Sequence, residues 1–164
     1  IGQGVDAHRL VAGPVLRLAG VEVPYERGLE GHSDGDVVLH AVASALLGAL
    51  GAGDLGSHFP SSDPRWKGAS SDVFVAAALA LAKQRGFSVG NVDATVIAQM
   101  PRLAPHRDAM VAGLAACLGI GVDRVSVKIT STDGLGAIGR GDGIAAQAVV
   151  LLEEAARARR AQMI

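Results

Sequence analysis

The sequence is poor in aromatic residues, in cysteine and in excess charge of either sign. Aromatic residues make up 3% of the 164 residues, and Cys117 is the one cysteine. A single cysteine excludes a disulfide framework, and the apolar surroundings in AGLAACLGI are typical of a buried thiol rather than a nucleophile. The net charge of −1 gives no reason to expect nucleic acid as a partner. The core must therefore be built from Ala, Val, Leu and Ile, whose small size permits close contact between helix and sheet.

Long apolar runs are also missing. Glycine and charged residues interrupt each apolar stretch before it reaches the length of a bilayer span, so we expect no membrane partner. The basic cluster RARR at Arg157–Arg160 is typical of a solvated helix end or tail. With 49% hydrophobic and 19% charged residues, the chain has a globular composition, and its length predicts one domain. We expect that domain to span residues 1–154 and residues 155–164 to form a helical or disordered tail.

Hydrophobic periodicity predicts both strands and helices. Alternation predicts an opening strand in residues 1–10 and a hairpin about Ala19–Gly20, and helical spacing predicts a helix over residues 34–50. The order of elements predicts an α/β (α+β) fold with a single mixed β-sheet, helices packed on one face and a ferredoxin-like two-layer architecture. The remaining predicted elements are a loop at 51–68, helices at 70–86 and 104–120, strands at 91–100, 123–132 and 143–154, and a glycine loop at 134–143.

Three residues near the N-terminus have the composition of a metal site. Asp6 and His8 are two apart on the predicted strand, so both side chains point to one face, and His40 follows on the first helix. One carboxylate and two imidazoles leave a coordination position open, as in catalytic zinc sites, although manganese, iron and cobalt also accept these ligands. The residues alone leave a second interpretation open, in which Asp6 ends a strand and the histidines are ordinary hydrogen-bonded polar groups.

Polar residues also surround the start of that helix. Ser33 is predicted to be the N-cap, and His32 is placed to donate a hydrogen bond to an anion at the helix N-terminus. Asp36, one turn before His40, either orients that imidazole or pairs with the helix dipole.

The glycine loop near the C-terminus offers a misleading motif. GLGAIG matches G-x-G-x-x-G, but too few residues follow Gly139 for the helix and strand of a dinucleotide-binding unit. The hydroxyls and acid of residues 130–133, together with Arg140, instead suit phosphate oxygens and Mg²⁺. A mobile hairpin loop with polar decoration remains the alternative.

Five motifs in this order and spacing resemble the 2-C-methyl-D-erythritol 2,4-cyclodiphosphate synthase family. They are GVDAHRL, HSDGDVVLHA, GDLG with FPSSDP, AQMPRLAPH, and KITSTDGLGAIGRGDGIA. The resemblance implies a cyclising phosphorus–oxygen lyase of the non-mevalonate isoprenoid pathway. Its substrate would be 4-diphosphocytidyl-2-C-methyl-D-erythritol 2-phosphate, whose 2-phosphate attacks the β-phosphate, expels CMP and closes 2-C-methyl-D-erythritol 2,4-cyclodiphosphate.

The resemblance also implies site residues by position. Asp6, His8 and His40 would bind Zn²⁺ or another divalent transition metal. Asp133 would hold Mg²⁺ or Mn²⁺ with the substrate diphosphate, and His32 and Ser131 would stabilise the transition state. Residues 54–56 and 59–63 would hold the erythritol, 98–104 the cytosine and 130–133 the diphosphate. The implied substrate-binding residues are Ser33, Asp54, Leu55, Gly56, Phe59, Pro60, Ser61, Ser62, Asp63, Ala98, Gln99, Met100, Pro101, Arg102, Leu103, Ala104, Thr130, Thr132, Ala137 and Arg140.

The family resemblance further implies a homotrimer in the cytoplasm, or in the plastid stroma of a plant or alga. Active sites would lie between subunits, with each sheet facing the threefold axis. A small apolar cavity on that axis, near Val5, Arg140 and Asp142, would accept isoprenoid diphosphates.

Four positions depart from the family pattern. Ser44 stands where an aspartate is expected, and a lost carboxylate there is expected to loosen the surroundings of the metal site. Asp133 and Asp142 replace glutamates, and Ala137 replaces a phenylalanine. Ser44 and Asp133 motivate one alternative to the synthase, a non-catalytic homologue that binds metal or nucleotide. A metal-dependent phosphohydrolase is a second alternative.

Overall fold

One five-stranded mixed sheet, the helices on one of its faces and a separate two-stranded hairpin make up the fold. The computed structural model describes residues 1–155. The strands are β1 (Gly2–Ala12), β2 (Arg17–Leu18), β3 (Val21–Glu22), β4 (Arg27–Leu29), β5 (Phe87–Ile97), β6 (Val125–Thr130) and β7 (Gly143–Glu154). The helices are α1 (Val37–Ala49), α2 (Leu55–His58), α3 (Asp72–Gln84), α4 (Arg107–Leu118) and α5 (Gly136–Gly139), with short 3-10 turns at Pro64–Trp66, Ala104–His106 and Val122–Arg124.

The large sheet has the strand order β4-β1-β7-β5-β6. β7 is antiparallel to both β1 and β5, and β6 is parallel to β5, so β1, β5 and β6 end at the same edge. The helices α1, α3 and α4 pack on one face, which confirms the predicted α/β class with a single mixed sheet. The ferredoxin-like detail is not confirmed, because β5 and β6 are direct parallel neighbours.

Two glycines allow α1 to lie directly on β1. A Cβ atom built on Gly2 would stand 1.9 Å from the Ala45 carbonyl oxygen, and one on Gly4 would stand 2.0 Å from that of Ala41. Only glycine permits such an approach, and the small residues expected for this core are found where α1 meets the sheet. The close contact places His40 of α1 above the second half of β1.

The predicted hairpin is confirmed, and hydrogen bonds to the Asp36 carboxylate connect its turn to the start of α1. Ala19 and Gly20 have φ values of 56° and 78°, the two positive angles of a type I′ turn. The Asp36 carboxylate accepts both of their backbone N–H groups, at 2.9 and 2.6 Å. Burial raises the pKa of Asp36, and the backbone donors oppose that shift. These bonds hold the turn in a conformation that an alanine rarely adopts.

The start of α1 corrects one prediction. The N-cap is Asp36, whose side chain accepts from Val38 N and Leu39 N, and not Ser33. Gly35, with a φ of 74°, delays the helix by breaking the helical backbone after Ser33. Asp36 is therefore the N-cap of α1, and its described side-chain bonds go to backbone N–H groups and not to the His40 ring.

Other boundaries differ from the prediction by a few residues. β5 begins at Phe87 rather than at residue 91, the loop at 51–68 contains α2, and β4 was not predicted. Cys117 is half-buried, and burial raises its pKa to about 11, in keeping with an unreactive thiol. Within residues 1–155, no helix combines the length and apolar character needed to cross a bilayer. The predicted tail lies outside the described residues from position 156 onward.

Candidate metal centre and substrate cavity

Asp6, His8 and His40 meet at one point, as the sequence predicts. Asp6 Oδ2 lies 2.9 Å from His8 Nε2 and 2.8 Å from His40 Nδ1, and the two ring nitrogens lie 3.1 Å apart. β1 supplies the first two side chains on its helix-covered face, and α1 supplies the third. Among residues 1–155, this is the one group of three or more such side chains whose ligand atoms come within metal-binding distance.

The outer nitrogen of each imidazole already has a partner. His8 Nδ1 lies 2.6 Å from the Glu30 carbonyl oxygen, which can only accept, so Nδ1 donates and Nε2 points inward to Asp6 and His40. His40 Nε2 contacts the hydroxyls of Ser33 and Ser71 at 3.0 and 2.9 Å, which leaves Nδ1 facing Asp6. These contacts aim both rings at the point where the three side chains meet.

The chemistry of the donor atoms fits a cation. Burial alone would raise the pKa of Asp6, but hydrogen bonds from His40 and His8 outweigh it and hold that pKa well below its usual value. The hydrogen bond to Asp6 raises the pKa of His8 in spite of burial. Three electron-rich atoms at 2.8–3.1 Å from one another favour a positive charge between them, whether a proton or a metal ion.

The geometry fits a divalent transition metal with one position open. Zinc with nitrogen and oxygen donors at about 2.0–2.1 Å in a tetrahedron separates those donors by about 3.3 Å. The observed separations of 2.8–3.1 Å require only a small outward movement of each side chain. No fourth protein ligand belongs to the group among residues 1–155, so a substrate oxygen or water can complete the coordination.

A cavity of about 120 Å³ adjoins the centre. His32, Ser33, Leu55, Phe59 and Ser61, all predicted site residues, line it together with His8 and His40. Trp66 and Phe74 also line it and were missed by sequence reasoning.

The cavity wall is an aromatic cluster. Phe59 packs against Phe74 with ring centroids 4.7 Å apart and against Trp66 at 5.1 Å in a T-shaped pair. Phe74 in turn lies 5.7 Å from the His40 ring. In a chain with so few aromatic residues, their spacing at positions 59, 66 and 74 was the available signal for this wall.

The rest of the predicted erythritol-binding loop does not line this cavity. Asp54 caps α2 by accepting from Ser57 N at 2.8 Å. Asp63 forms an ion pair with Arg65 at 2.6 Å, and its carbonyl oxygen lies 3.3 Å from His32 Nε2. Three further predicted residues of this loop are exposed to solvent: Gly56, Pro60 and Ser62.

A second group of predicted residues meets at the ends of β5 and β6. Ala98 N donates to the Thr130 carbonyl oxygen at 2.9 Å, and Gly134 N donates to Gln99 Oε1 at 3.3 Å, joining the 98–104 segment to the 130–133 segment. Ser131 Oγ donates to Asp133 Oδ1 at 3.2 Å, within one turn. The predicted residues in the first segment with exposed or partly exposed side chains are Gln99, Met100, Pro101, Arg102 and Ala104, whereas Ala98 and Leu103 are buried.

One chain does not bring these two groups together. In the sheet, His8 pairs with Ile144 on β7, Ala145 beside it pairs with Ile97 on β5, and Ile97 pairs with Thr130 on β6. Three strand spacings of about 4.8 Å put His8 and Thr130 roughly 14 Å apart across the sheet. The metal centre and the 130–133 segment therefore share an edge of the sheet but not a cavity.

Two further predicted residues lie elsewhere. Ala137 and Arg140 line an open groove of about 670 Å³ with Arg9, Arg27 and Asp142. Arg140 forms an exposed ion pair with Asp142 at 3.1 Å.

The His40 ring has hydrogen-bond partners although Ser44 stands where an aspartate was expected. The described partners of that ring are Asp6, His8, Ser33 and Ser71, and Ser44 is not among them. The expectation that a missing carboxylate at position 44 loosens the surroundings of the metal site therefore finds no contact to support it.

Comparisons with known proteins agree with this geometry. The sequence model described as YgbB family matches residues 1–153. The chain is 58% identical over 153 residues to a 2-C-methyl-D-erythritol 2,4-cyclodiphosphate synthase of Geobacter metallireducens, covering 93% of this chain and 98% of the relative. A solved structure of such a synthase has a TM-score of 0.86 at 41% identity, and a CDP-bound form has 0.85 at 39%, each over 93% of this chain and 99% of the other. The chain thus belongs to the YgbB family, the family of the 2-C-methyl-D-erythritol 2,4-cyclodiphosphate synthases.

Proposed function

We propose that this chain is a metal-dependent cyclising phosphorus–oxygen lyase that forms 2-C-methyl-D-erythritol 2,4-cyclodiphosphate and CMP. The observation that carries the proposal is the convergence of Asp6, His8 and His40 beside a cavity, in a chain that belongs to the family of these synthases. The activity belongs to the non-mevalonate route to isoprenoids, in a catalytic domain of residues 1–154.

The physical demands of the reaction match what these residues supply. The nucleophile is a phosphate of the substrate itself, so it is already an anion and is tethered to the phosphorus that it attacks. The remaining barrier comes from alignment and from repulsion between anions. A divalent cation held by Asp6, His8 and His40, with zinc as the metal that these ligands favour, would offset that repulsion and polarise a phosphoryl oxygen.

The cavity beside the centre is proposed to hold the erythritol phosphate. His32 and Ser33 present an imidazole N–H and a hydroxyl where a phosphate oxygen would lie, and Asp54 with its neighbours would hold the erythritol hydroxyls. The aromatic wall of Phe59, Trp66 and Phe74 excludes water from one side. Low water content strengthens each charge interaction within the cavity.

The 98–104 and 130–133 segments are proposed to bind the cytidine diphosphate. The exposed hydroxyls of Thr130 and Ser131 suit diphosphate oxygens, and Asp133 offers an oxygen ligand to Mg²⁺ or Mn²⁺. The CDP-bound relative, alike in fold, supports a cytidine nucleotide as the ligand of this chain.

A homotrimer would complete the site, because the two groups lie on opposite parts of one sheet. The face of that sheet opposite the helices exposes apolar residues: Val5 is 64% exposed, and Val149 and Leu151 are 37% exposed each. Burial of this face between copies would bring the 130–133 segment of one chain to the metal centre of another. The threefold axis of this trimer would pass near Val5, Arg140 and Asp142, where we propose that an isoprenoid diphosphate binds. Sedimentation equilibrium should give three times the chain mass, and a monomer would contradict the assembly.

We propose a cytoplasmic location for the enzyme, because relatives such as the Geobacter metallireducens synthase are bacterial. Fractionation of the source cells would test it, and recovery in a membrane or exported fraction would contradict it.

Phosphorus NMR of the reaction mixture tests the function directly. Metal-restored protein with substrate and Mg²⁺ should yield the cyclic diphosphate and CMP, and chelator-treated protein should not. Release of inorganic phosphate would instead indicate a phosphohydrolase. Because Trp66 is the single tryptophan and lines the cavity, its fluorescence reports on ligand binding independently of turnover. A fluorescence response to CDP without turnover would indicate a non-catalytic binding protein.

A further inference from the structure

Ser71 stands in a capping position but does not cap. It is the N-cap residue of α3 and makes no side-chain capping bond. Its side chain is fully buried, and its hydroxyl contacts Asp34 Oδ1 on one side and His40 Nε2 on the other, the latter at 2.9 Å. Because the Ser71 hydroxyl makes these two contacts, it does not form the usual capping bond to a backbone N–H of its own helix.

The position of the protons follows from the chemistry of the partners. An ionised carboxylate can only accept, so the Ser71 hydroxyl donates to Asp34. The Ser71 oxygen then accepts the hydrogen bond that it shares with His40, so His40 Nε2 is the protonated nitrogen. With a metal ion held between Asp6, His8 and His40, Nδ1 of His40 is then the nitrogen whose lone pair faces the metal. The backbone N–H of Ser71 also donates to Asp34, at 3.1 Å, which fixes the carboxylate in place.

We propose that Asp34 and Ser71 are positioning residues that fix the tautomer and orientation of the metal ligand His40. The inference rests on the metal centre of the proposed function. The Asp34 carboxylate acts on His40 through the Ser71 hydroxyl. Asp34 lies in the loop before α1, and Ser71 lies at the start of α3. This support reaches Nε2 of the ring from Ser71 at the start of α3, and not from another residue of α1.

Ser33 offers a matched control within the same site. Its hydroxyl also contacts His40 Nε2, at 3.0 Å, but it is only half-buried. No carboxylate accepts its proton among the described contacts; its other partners are the Ser71 hydroxyl at 3.3 Å and Gly35 N at 3.4 Å. Its proton is therefore free to turn toward the cavity, and it does not define the His40 tautomer.

The test measures metal affinity and the tautomer separately. Zinc affinity is measured by chelator competition for the full-length protein and for the variants Ser71→Ala, Ser33→Ala and Asp34→Asn. Imidazole ¹⁵N shifts of the zinc-bound proteins report which nitrogen of His40 carries the proton and which one binds the metal. The absorption of the cobalt-substituted proteins reports the coordination geometry, and circular dichroism confirms folding.

We expect Ser71→Ala to weaken zinc binding by about 10- to 100-fold, the effect usual for residues that orient a metal ligand, with Asp34→Asn in the same direction. Ser33→Ala should weaken it less and leave the His40 tautomer unchanged. Equal affinity of wild type and Ser71→Ala, with zinc bound to both, would overturn this inference and leave the proposed function standing. Wild type without zinc would overturn both. If Ser71→Ala does not fold, Asp34→Asn decides, and an unchanged tautomer and affinity there would also overturn the inference.

Discussion

The two groups of predicted site residues are built in different ways. Asp6 and His8 come from the middle of a strand and His40 from the first turn of a buried helix, and the outer nitrogens of both rings are held by other elements. The 130–133 segment is largely exposed, and its described side-chain bonds, such as that from Ser131 to Asp133, stay within one turn. The core therefore organises the metal centre within one chain, whereas the nucleotide-binding segments present groups that need a ligand or a second chain to meet it.

The largest expected effect comes from removing one of the three proposed metal ligands. His40→Ala should abolish stoichiometric zinc, because two protein ligands remain of three, while the helix around it still packs. Metal analysis of the purified variant measures this. His106→Ala, at the start of α4 and outside the centre, serves as the control and should keep its zinc. One zinc per chain in His40→Ala would remove that residue from the ligand set.

Gly4→Ala should disturb the same region through packing alone. The added Cβ would stand 2.0 Å from a backbone oxygen of α1, so we expect a loss of about 3 kcal/mol or more in unfolding free energy, at or beyond the upper end for overpacking. The metal affinity should fall as well, since α1 must move away from β1. Chemical denaturation and zinc titration measure the two effects.

Gly48→Ala is the control for that substitution. Its Cβ would meet only an atom at 3.6 Å, so it should be neutral or stabilise the helix by up to about 1 kcal/mol. Equal stabilities of the two variants would show that the close contact does not set the geometry of the centre.

In the exposed 130–133 segment, Ser131→Ala should change catalysis without changing the metal content. The loss of one hydrogen bond to a charged group, about 1.5–3 kcal/mol, predicts a fall of roughly 10- to 100-fold in kcat/KM. Thermal unfolding should stay close to wild type because Ser131 is exposed. Ser88→Ala, exposed near the other end of β5, is the control. Full activity of Ser131→Ala would place the diphosphate elsewhere.

The smallest effect is expected at Ser44, one of the four departures from the family pattern. Ser44→Asp should change the free energy of zinc binding by less than about 0.5 kcal/mol, because Ser44 contacts none of the ligand atoms among the described bonds. Chelator competition measures the change. A clear gain in affinity would show that a carboxylate one turn after His40 does reach the centre, and that its absence here has a cost.

The metal ligands were predictable because they sit on regular elements. Strand periodicity placed Asp6 and His8 on one face, and helical spacing put His40 on the buried side of α1, so three residues far apart in sequence could be assigned to one site. The family resemblance extended this to the remaining site residues. The capping role of Ser33 was wrong because Gly35 takes a left-handed backbone conformation that the hydrophobic pattern does not report.

Contacts between elements were beyond prediction. Nothing in the local pattern of Ser71 distinguishes it from an ordinary N-cap, and its partners Asp34 and His40 are more than 30 positions away. Trp66 and Phe74 were not predicted as site residues, and their packing against Phe59 makes them part of the cavity wall.

The order of residues by itself determined the fold class and the face of each element, and it predicted Asp6, His8 and His40 as candidate metal ligands, because those inferences depend on periodicity and on the chemistry of single side chains. The tertiary structure alone decided how closely α1 approaches β1, which hydroxyl holds the His40 ring and how far the metal centre lies from the 130–133 segment. These are distances between elements remote in sequence, and close packing of the whole core, rather than any local preference, sets them.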